Sequence, residues 1–198
     1  STESPFWVKH CPGNSKSFVD CGDTGLAIND LALSPNFVGS FKEPIDGETI
    51  GPKGELFAAT SDGLLRTGDS LTSWLQCGAS PLNSNVLSVE LAADFGNFAQ
   101  TNKDKFWKNM LLVGVSGGPG VFRLIGDPGE PICDAEWQNS FGFPPNSEVI
   151  SLAVSSNQWD DKLVFAGTRN HGLFYSDDHG GTWKPIEVPD GFLGTHDF

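Results

Sequence analysis

The residues whose types and spacing are most specific for chemistry lie near the end of the chain, in one polar octapeptide. It reads Ser176-Asp177-Asp178-His179-Gly180-Gly181-Thr182-Trp183. In such a run Asp178 can accept backbone N–H groups across a turn, and the hydroxyls of Ser176 and Thr182 can satisfy the remaining polar groups. The two glycines permit positive φ, and the tryptophan can bury its ring against a sheet. These are structural tasks, so the pattern predicts a stabilising hairpin turn rather than a catalytic site.

Metal and redox chemistry have weaker support in the sequence. The histidines show no H-x-x-x-H spacing and the cysteines form no C-x-x-C pair, so we expect no metal and no cofactor. Cys11 and Cys21 flank a short loop that a disulfide could close, which favours an oxidising compartment. The pairing of Cys77 and Cys133 stays open, and four independent buried thiols are the alternative.

The charge balance excludes several classes of partner. The 198-residue chain has a formal net charge of −13 and only 12 Lys and Arg residues. Nucleic acids and anionic membrane surfaces attract clustered positive charge, so we expect neither as a partner. No stretch approaches the ~18 consecutive apolar residues of a membrane span, and we therefore expect no membrane insertion.

The elements that position the octapeptide belong to a repeat of four apolar segments. Each copy has an alternating first strand, an apolar second strand with small residues, a glycine-led third strand and a short fourth strand that a tryptophan opens. The first strands cover 28–34, 86–92 and 149–155, and the second strands cover 55–60, 110–115 and 163–168. The third strands cover 63–67, 120–124 and 172–176, and the tryptophans are Trp74, Trp137 and Trp183.

Four short strands in a period of just over fifty residues predict an all-β fold made of β-propeller blades. We expect about three blades of four antiparallel strands, as part of a larger propeller. Their predicted bounds are 25–80, 81–145 and 146–190. Residues 1–24 form an N-terminal segment with a candidate closing strand of a preceding blade, and 191–198 begin a further blade or a linker.

The octapeptide also carries a family resemblance, because it matches the pattern S-x-D-x-G-x-T-W at every defined position. A degenerate copy keeps Thr67, Asp69 and Trp74 at the same spacing, whereas the second blade has lost the motif. The chain resembles the Asp-box (BNR-repeat) β-propeller superfamily over roughly residues 25 to 188. That superfamily includes sialidases, sortilin-type receptors, xyloglucan-active glycosidases and photosystem II assembly factors. The resemblance implies that the motif lies at the blade periphery, away from a central site.

Catalysis of the kinds known in that superfamily needs residues that this sequence barely offers. A sialidase needs three arginines and a tyrosine nucleophile, but Arg66, Arg123 and Tyr175 occupy one repeated third-strand position and are not expected to converge. A xyloglucan-active glycosidase needs two facing carboxylates at the propeller centre, and the sequence does not single out any pair. We therefore favour no enzymatic activity, and leave the question open.

The sequence favours a binding or scaffold module, because propellers present the loops of every blade for recognition. Its candidate aromatic anchors in long loops are Phe41, Phe98, Phe106 and Trp107. The alternative is that these rings pack onto their own blades. Expected partners are other protein chains, the remaining blades of the propeller, or a glycan, in an extracellular, periplasmic or lumenal compartment. The alternative function is a sialidase-type or xyloglucanase-type glycoside hydrolase whose site is completed by residues outside this segment.

Overall fold

The computed structural model describes residues 27–35, 54–67, 74–77, 85–93, 95, 109–126 and 132–187. In these residues the chain forms three four-stranded antiparallel sheets, each with its strands in chain order. Blade 1 consists of β1 (Ile28–Leu33), β2 (Leu56–Thr60), β3 (Gly63–Thr67) and β4 (Leu75–Gln76). Blade 2 consists of β5 (Val86–Leu91), β6 (Met110–Val115), β7 (Val121–Ile125) and β8 (Trp137–Asn139). Blade 3 consists of β9 (Val149–Val154), β10 (Val164–Thr168), β11 (Leu173–Ser176) and β12 (Lys184–Pro185).

Helical structure in the described residues is limited to two short pieces and the 3-10 conformation of Asn109. One is a single turn, α1 (Gln158–Asp161), in the connection between β9 and β10, and the other is a 3-10 turn at Ile132–Asp134. The all-β class and the four-stranded blades expected from the repeat are therefore confirmed.

The turn between the second and third strands is built the same way in each blade. Gly63, Gly120 and Gly172 have φ values of +103°, +82° and +80° at the point where the third strand begins. Only glycine adopts this conformation without steric cost, which explains why each third strand is preceded by or begins with it.

The first strands of neighbouring blades lie side by side, with β5 between β1 and β9. Each first strand has a register irregularity near its start, between Ile28 and Asp30 in blade 1 and between Val86 and Ser88 in blade 2. A third irregularity lies opposite the start of β9. This repeated bulge bends each first strand at the same place.

The apolar core lies between the sheets. Phe57 and Phe95 pack edge to face with ring centroids 5.8 Å apart, and the side chains of β6 are buried on both faces. Between blades 2 and 3, Gly114 lies so close to Val149 that a Cβ there would overlap it. Close backbone approach thus explains a glycine inside an otherwise bulky central strand.

A disulfide joins Cys77, directly after β4, to Cys133 in the 3-10 turn, with Cα atoms 4.7 Å apart. It links blade 1 to blade 2, a pairing that the sequence left open. The pair Cys11 and Cys21 lies outside the described residues.

Candidate functional site

The octapeptide turn, residues 176–183, connects β11 to β12 and is organised by the carboxylate of Asp178. Its Oδ1 accepts the amide N–H groups of Gly181 at 2.9 Å and Thr182 at 2.8 Å. The same oxygen accepts the hydroxyl of Ser176 at 2.7 Å, and Oδ2 accepts the hydroxyl of Thr182 at 2.7 Å. The Ser176 hydroxyl oxygen in turn accepts the amide of Gly180 at 2.8 Å. The Ser176 hydroxyl oxygen also accepts the amide of Asp178 at 3.3 Å, so one carboxylate and one hydroxyl satisfy four turn amides.

These hydrogen bonds set the charge state of Asp178. Burial by itself would raise the pKa of this carboxyl, but the bonds from Thr182, Ser176 and Gly181 to the charged form outweigh it and the pKa is lowered. The group therefore holds its charge and its bonds down to acid pH, which suits a structural anchor better than a proton donor.

The backbone of the turn leaves the right-handed region at two successive residues, with φ of +59° at His179 and +80° at Gly180. His179 is buried and its amide bonds the carbonyl oxygen of Lys162 at 3.2 Å. The ring Nδ1 of His179 lies 3.4 Å from Nε2 of Gln158, a fully buried residue of α1. The short helix α1 and the residue after it thus contact the octapeptide turn directly.

The octapeptide turn also packs against blade 2. Nη1 of Arg123, on β7, donates to the backbone oxygens of Asp178 at 3.2 Å and His179 at 3.3 Å. The hydroxyl of Ser140, just after β8, donates to the carbonyl oxygen of Gly180 at 2.5 Å. Backbone bonds from Phe141 to the oxygen of Gly181 and from the Trp183 amide to the oxygen of Phe141 continue this joint. Here the turn is a connector between two blades.

Sequence reasoning missed the role of Arg123, because it treated the arginine as one member of a repeated position. Burial lowers the pKa of Arg123 and the nearby carboxylate of Asp178 raises it, with burial dominant. In blade 1 the equivalent Arg66 pairs instead with Glu55 of its own sheet, 3.1 Å away. The sequence did contain a signal for this contact. Arg123 lies on the third strand of blade 2, and the next blade along the chain carries the intact octapeptide.

The aromatic side chain of the turn fills the space beneath it. The Trp183 ring is buried, and its Nε1 donates to the oxygen of Gly180 at 3.2 Å. Phe143 lies between two rings, 5.1 Å from the centroid of Trp183 and 4.8 Å from that of Phe174. Phe143 also packs against blade 2, since a Cβ at Gly120 would lie 3.0 Å from its ring. The stack therefore contributes to the contact between blades 2 and 3.

The remaining predicted site residues are only partly within the described chain. In the degenerate copy Thr67 is buried and Trp74 is half-buried, while Asp69 lies outside the described residues. Also outside them are the four candidate anchors, Phe41, Phe98, Phe106 and Trp107.

The two outermost sheet faces of the three blades expose apolar side chains at positions whose counterparts in the middle blade are buried. On β1, the exposed fractions are 53% for Ile28, 58% for Leu31 and 54% for Leu33. Their counterparts in blade 2 have exposed fractions of 6% or less and are Val86, Val89 and Leu91. We call this surface the open face of blade 1.

Blade 3 has the complementary surface on its other side. Phe165 on β10 and Leu173 on β11 are 37% and 40% exposed, whereas their counterparts Leu112 and Val121 in blade 2 are fully buried. This open face of blade 3 repeats the surface of blade 2 against which the octapeptide turn packs.

The first strands carry carboxylates close to the line where the blades meet. Oδ2 of Asp30 on β1 accepts the amide of Val89 on β5 at 3.0 Å, and the hydroxyl of Ser88 donates to the oxygen of Val149 on β9 at 3.2 Å. Burial raises the pKa of Glu90, although a backbone bond from Val154 lowers it, and the nearby charge of Asp30 raises it further. Side chains on the first strand of one blade thus form hydrogen bonds with backbone groups on the first strand of the next blade.

Among the described residues, no group of three or more His, Cys, Asp or Glu side chains has a geometry that could hold a metal ion. Their helices include none long and apolar enough to cross a membrane.

Comparison with known proteins supports the architecture alone. No protein-family model matches the chain, and no curated protein is significantly similar to it. Among solved structures, an ancestral GH74 enzyme aligns with a TM-score of 0.53 and 19% identity over 82% of this chain and 19% of that one. YCF48 from Cyanidioschyzon merolae aligns with a TM-score of 0.45 and 15% identity over 67% of this chain and 37% of that one. The chain spans less than half the length of either structure. At 19% identity, the likeness to the GH74 enzyme shows a shared fold, the β-propeller blade.

Proposed function

We propose that this protein is a non-catalytic β-propeller module of the Asp-box type that acts as a scaffold by binding protein partners. The observation that carries the proposal is the contrast between blades in burial of equivalent positions. Leu31 is 58% exposed on blade 1, whereas Val89, its counterpart in blade 2, is 2% exposed because blade 1 covers it. Repeated apolar side chains that lack a cover are typical of an interaction surface.

The partner proposed for these faces is another blade-like sheet, from other protein chains or the remaining blades of the same propeller. Propellers close with about four to eight blades, so that every sheet has a neighbour on both sides. The disulfide between Cys77 and Cys133 supports an extracellular, periplasmic or lumenal location, since such bonds persist in oxidising compartments.

The test is the association state of the chain alone, measured by size-exclusion chromatography with light scattering over a range of concentrations. We expect concentration-dependent oligomers, and we expect the double variant Leu31→Glu/Leu33→Glu to shift them toward monomer. Both side chains are more than half exposed, so the fold should survive. The control is Phe141→Glu, because Phe141 is 68% exposed but lies at the outer joint rather than on an open face. A stable wild-type monomer at all concentrations would refute the proposal.

A second candidate function, glycoside hydrolysis, is favoured by one observation. Glu90 has a raised pKa and a neighbouring carboxylate, Asp30, on the adjacent first strand. A carboxyl with a raised pKa is what a general acid requires. Incubation with sialosides and β-glucans decides between the two functions, since turnover that Glu90→Gln abolishes would replace the non-catalytic proposal.

A further inference from the structure

The outer joints between successive blades can be compared position by position. Cys77 follows β4 as Ser140 follows β8, because their amides bond equivalent third-strand oxygens, those of Leu64 at 2.8 Å and Val121 at 3.1 Å. The two residues therefore occupy the same place at the outer edge of blades 1 and 2.

The contact that each of these residues makes with the next blade is different in kind. Ser140 donates to the oxygen of Gly180 in the octapeptide turn, which connects the third and fourth strands of blade 3. Cys77 is bonded to Cys133, which lies in the corresponding connection of blade 2. That connection does not match the pattern S-x-D-x-G-x-T-W and contains the 3-10 turn instead. A covalent bond thus stands where the other joint has a hydrogen bond.

The tryptophans that open the fourth strands also differ between the two joints, in whether their indole N–H has an acceptor. Nε1 of Trp183 donates to the oxygen of Gly180 within the octapeptide turn. Nε1 of Trp137, at the equivalent place in blade 2, is buried and finds no acceptor among the described residues. A buried donor without an acceptor destabilises its surroundings, so this joint depends more on its other connection.

We propose that the Cys77–Cys133 disulfide replaces the octapeptide turn as the outer joint between blades 1 and 2. Of the two joints between the described blades, this one is then the joint that responds to redox conditions. A dithiol reductant would transfer two electrons and two protons, break the S–S bond, leave two thiols and itself become a disulfide. Cys133 is half-buried and Cys77 is fully buried, so we expect the reductant to attack the Cys133 sulfur first.

The experiment is hydrogen–deuterium exchange of the whole chain, read by mass spectrometry with and without a dithiol. In wild type, we expect reduction to speed exchange about tenfold or more in 75–77 and 132–139, because local opening then needs no covalent bond to break. Exchange in 176–183 should stay within about twofold, since hydrogen bonds hold that joint.

The matched control is the variant Cys77→Ser/Cys133→Ser, which retains Cys11 and Cys21. Without reductant it should already exchange like reduced wild type in 75–77 and 132–139, and the dithiol should change those segments no further. The proposal is overturned if reduction leaves the segments of wild type unchanged, or if it speeds exchange equally in 176–183. If the double variant does not fold, the reduced wild type still gives either answer.

Discussion

At the residue scale, the carboxylate of Asp178 determines whether the octapeptide turn keeps its shape. It accepts two amide N–H groups and two hydroxyls, and the turn it holds presents backbone oxygens to Arg123 of the neighbouring blade. The neighbouring Asp177 has a different environment. Its side chain is half exposed and forms an ion pair with Lys184 on the surface, at 2.7 Å. Adjacent aspartates in the sequence therefore have unequal structural importance.

Replacing Asp178 by alanine should lower the free energy of unfolding by about 1–3 kcal/mol, because two turn amides lose their acceptor. Asp177→Ala is the control and should change stability little, since an exposed ion pair contributes little. Urea unfolding followed by tryptophan fluorescence measures both. Equal effects of the two substitutions would show that the turn does not depend on Asp178.

Acidification provides a second measurement of the same carboxylate. Its folded-state pKa lies below its usual value, so its stabilising contribution is present above the unfolded-state pKa, about 3.9, and is lost as the pH falls through the folded-state pKa. The stability difference between wild type and Asp178→Asn should therefore be constant at neutral pH and shrink below about pH 4. A difference that stays constant as the pH falls below about 4 would contradict this.

Glu90 should behave in the opposite way, because burial raises its pKa in the folded state. Protonated Glu90 is favoured by folding, so its contribution to stability is present below the unfolded-state pKa, about 4.3, and declines as the pH rises toward the folded-state value. Relative to Glu90→Gln, wild type should thus lose stability between about pH 4 and neutral pH. Thermal unfolding of both proteins across that range is the measurement, and parallel curves would contradict the expectation.

At the element scale, the hairpins show how one backbone conformation serves two purposes. Gly172 and Gly180 both have φ of +80°, the first in the turn between β10 and β11 and the second in the octapeptide turn. A Cβ at Gly172 would meet nothing within 4 Å, whereas one at Gly180 would lie 2.8 Å from Cδ2 of Leu112 in blade 2. The first glycine serves the turn alone, and the second also permits the blades to approach.

This pair of glycines separates turn geometry from blade packing. Gly172→Ala should cost about 1–2 kcal/mol of unfolding free energy, the price of a left-handed conformation for a residue with a Cβ. Gly180→Ala should cost this amount and a further ~1–3 kcal/mol for overpacking against Leu112. Chemical denaturation of the two variants tests the difference, and equal losses would show that the contact relaxes freely.

At the scale of the whole molecule, each blade is completed by its neighbours. Blade 2 has a neighbour on both faces and its central strand β6 is buried throughout, while blades 1 and 3 each expose one face. The joints between blades combine polar links near the first strands with an outer connection, a disulfide in one case and the octapeptide turn in the other. The proposed role therefore depends on whether these open faces associate with a partner.

The sequence by itself determined the blade architecture of this protein, because alternating strands, hairpin glycines and tryptophans are local signals that recur in the same order in each repeat. It also singled out Asp178, whose hydroxyl and glycine neighbours lie within a few residues. Only the tertiary structure decided which distant residues meet. The contact of Arg123 with the octapeptide turn and the bond of Cys77 to Cys133 join neighbouring blades, and such contacts depend on how the sheets pack. Sequence spacing does not predict that packing, since these two contacts each bring together residues more than fifty positions apart.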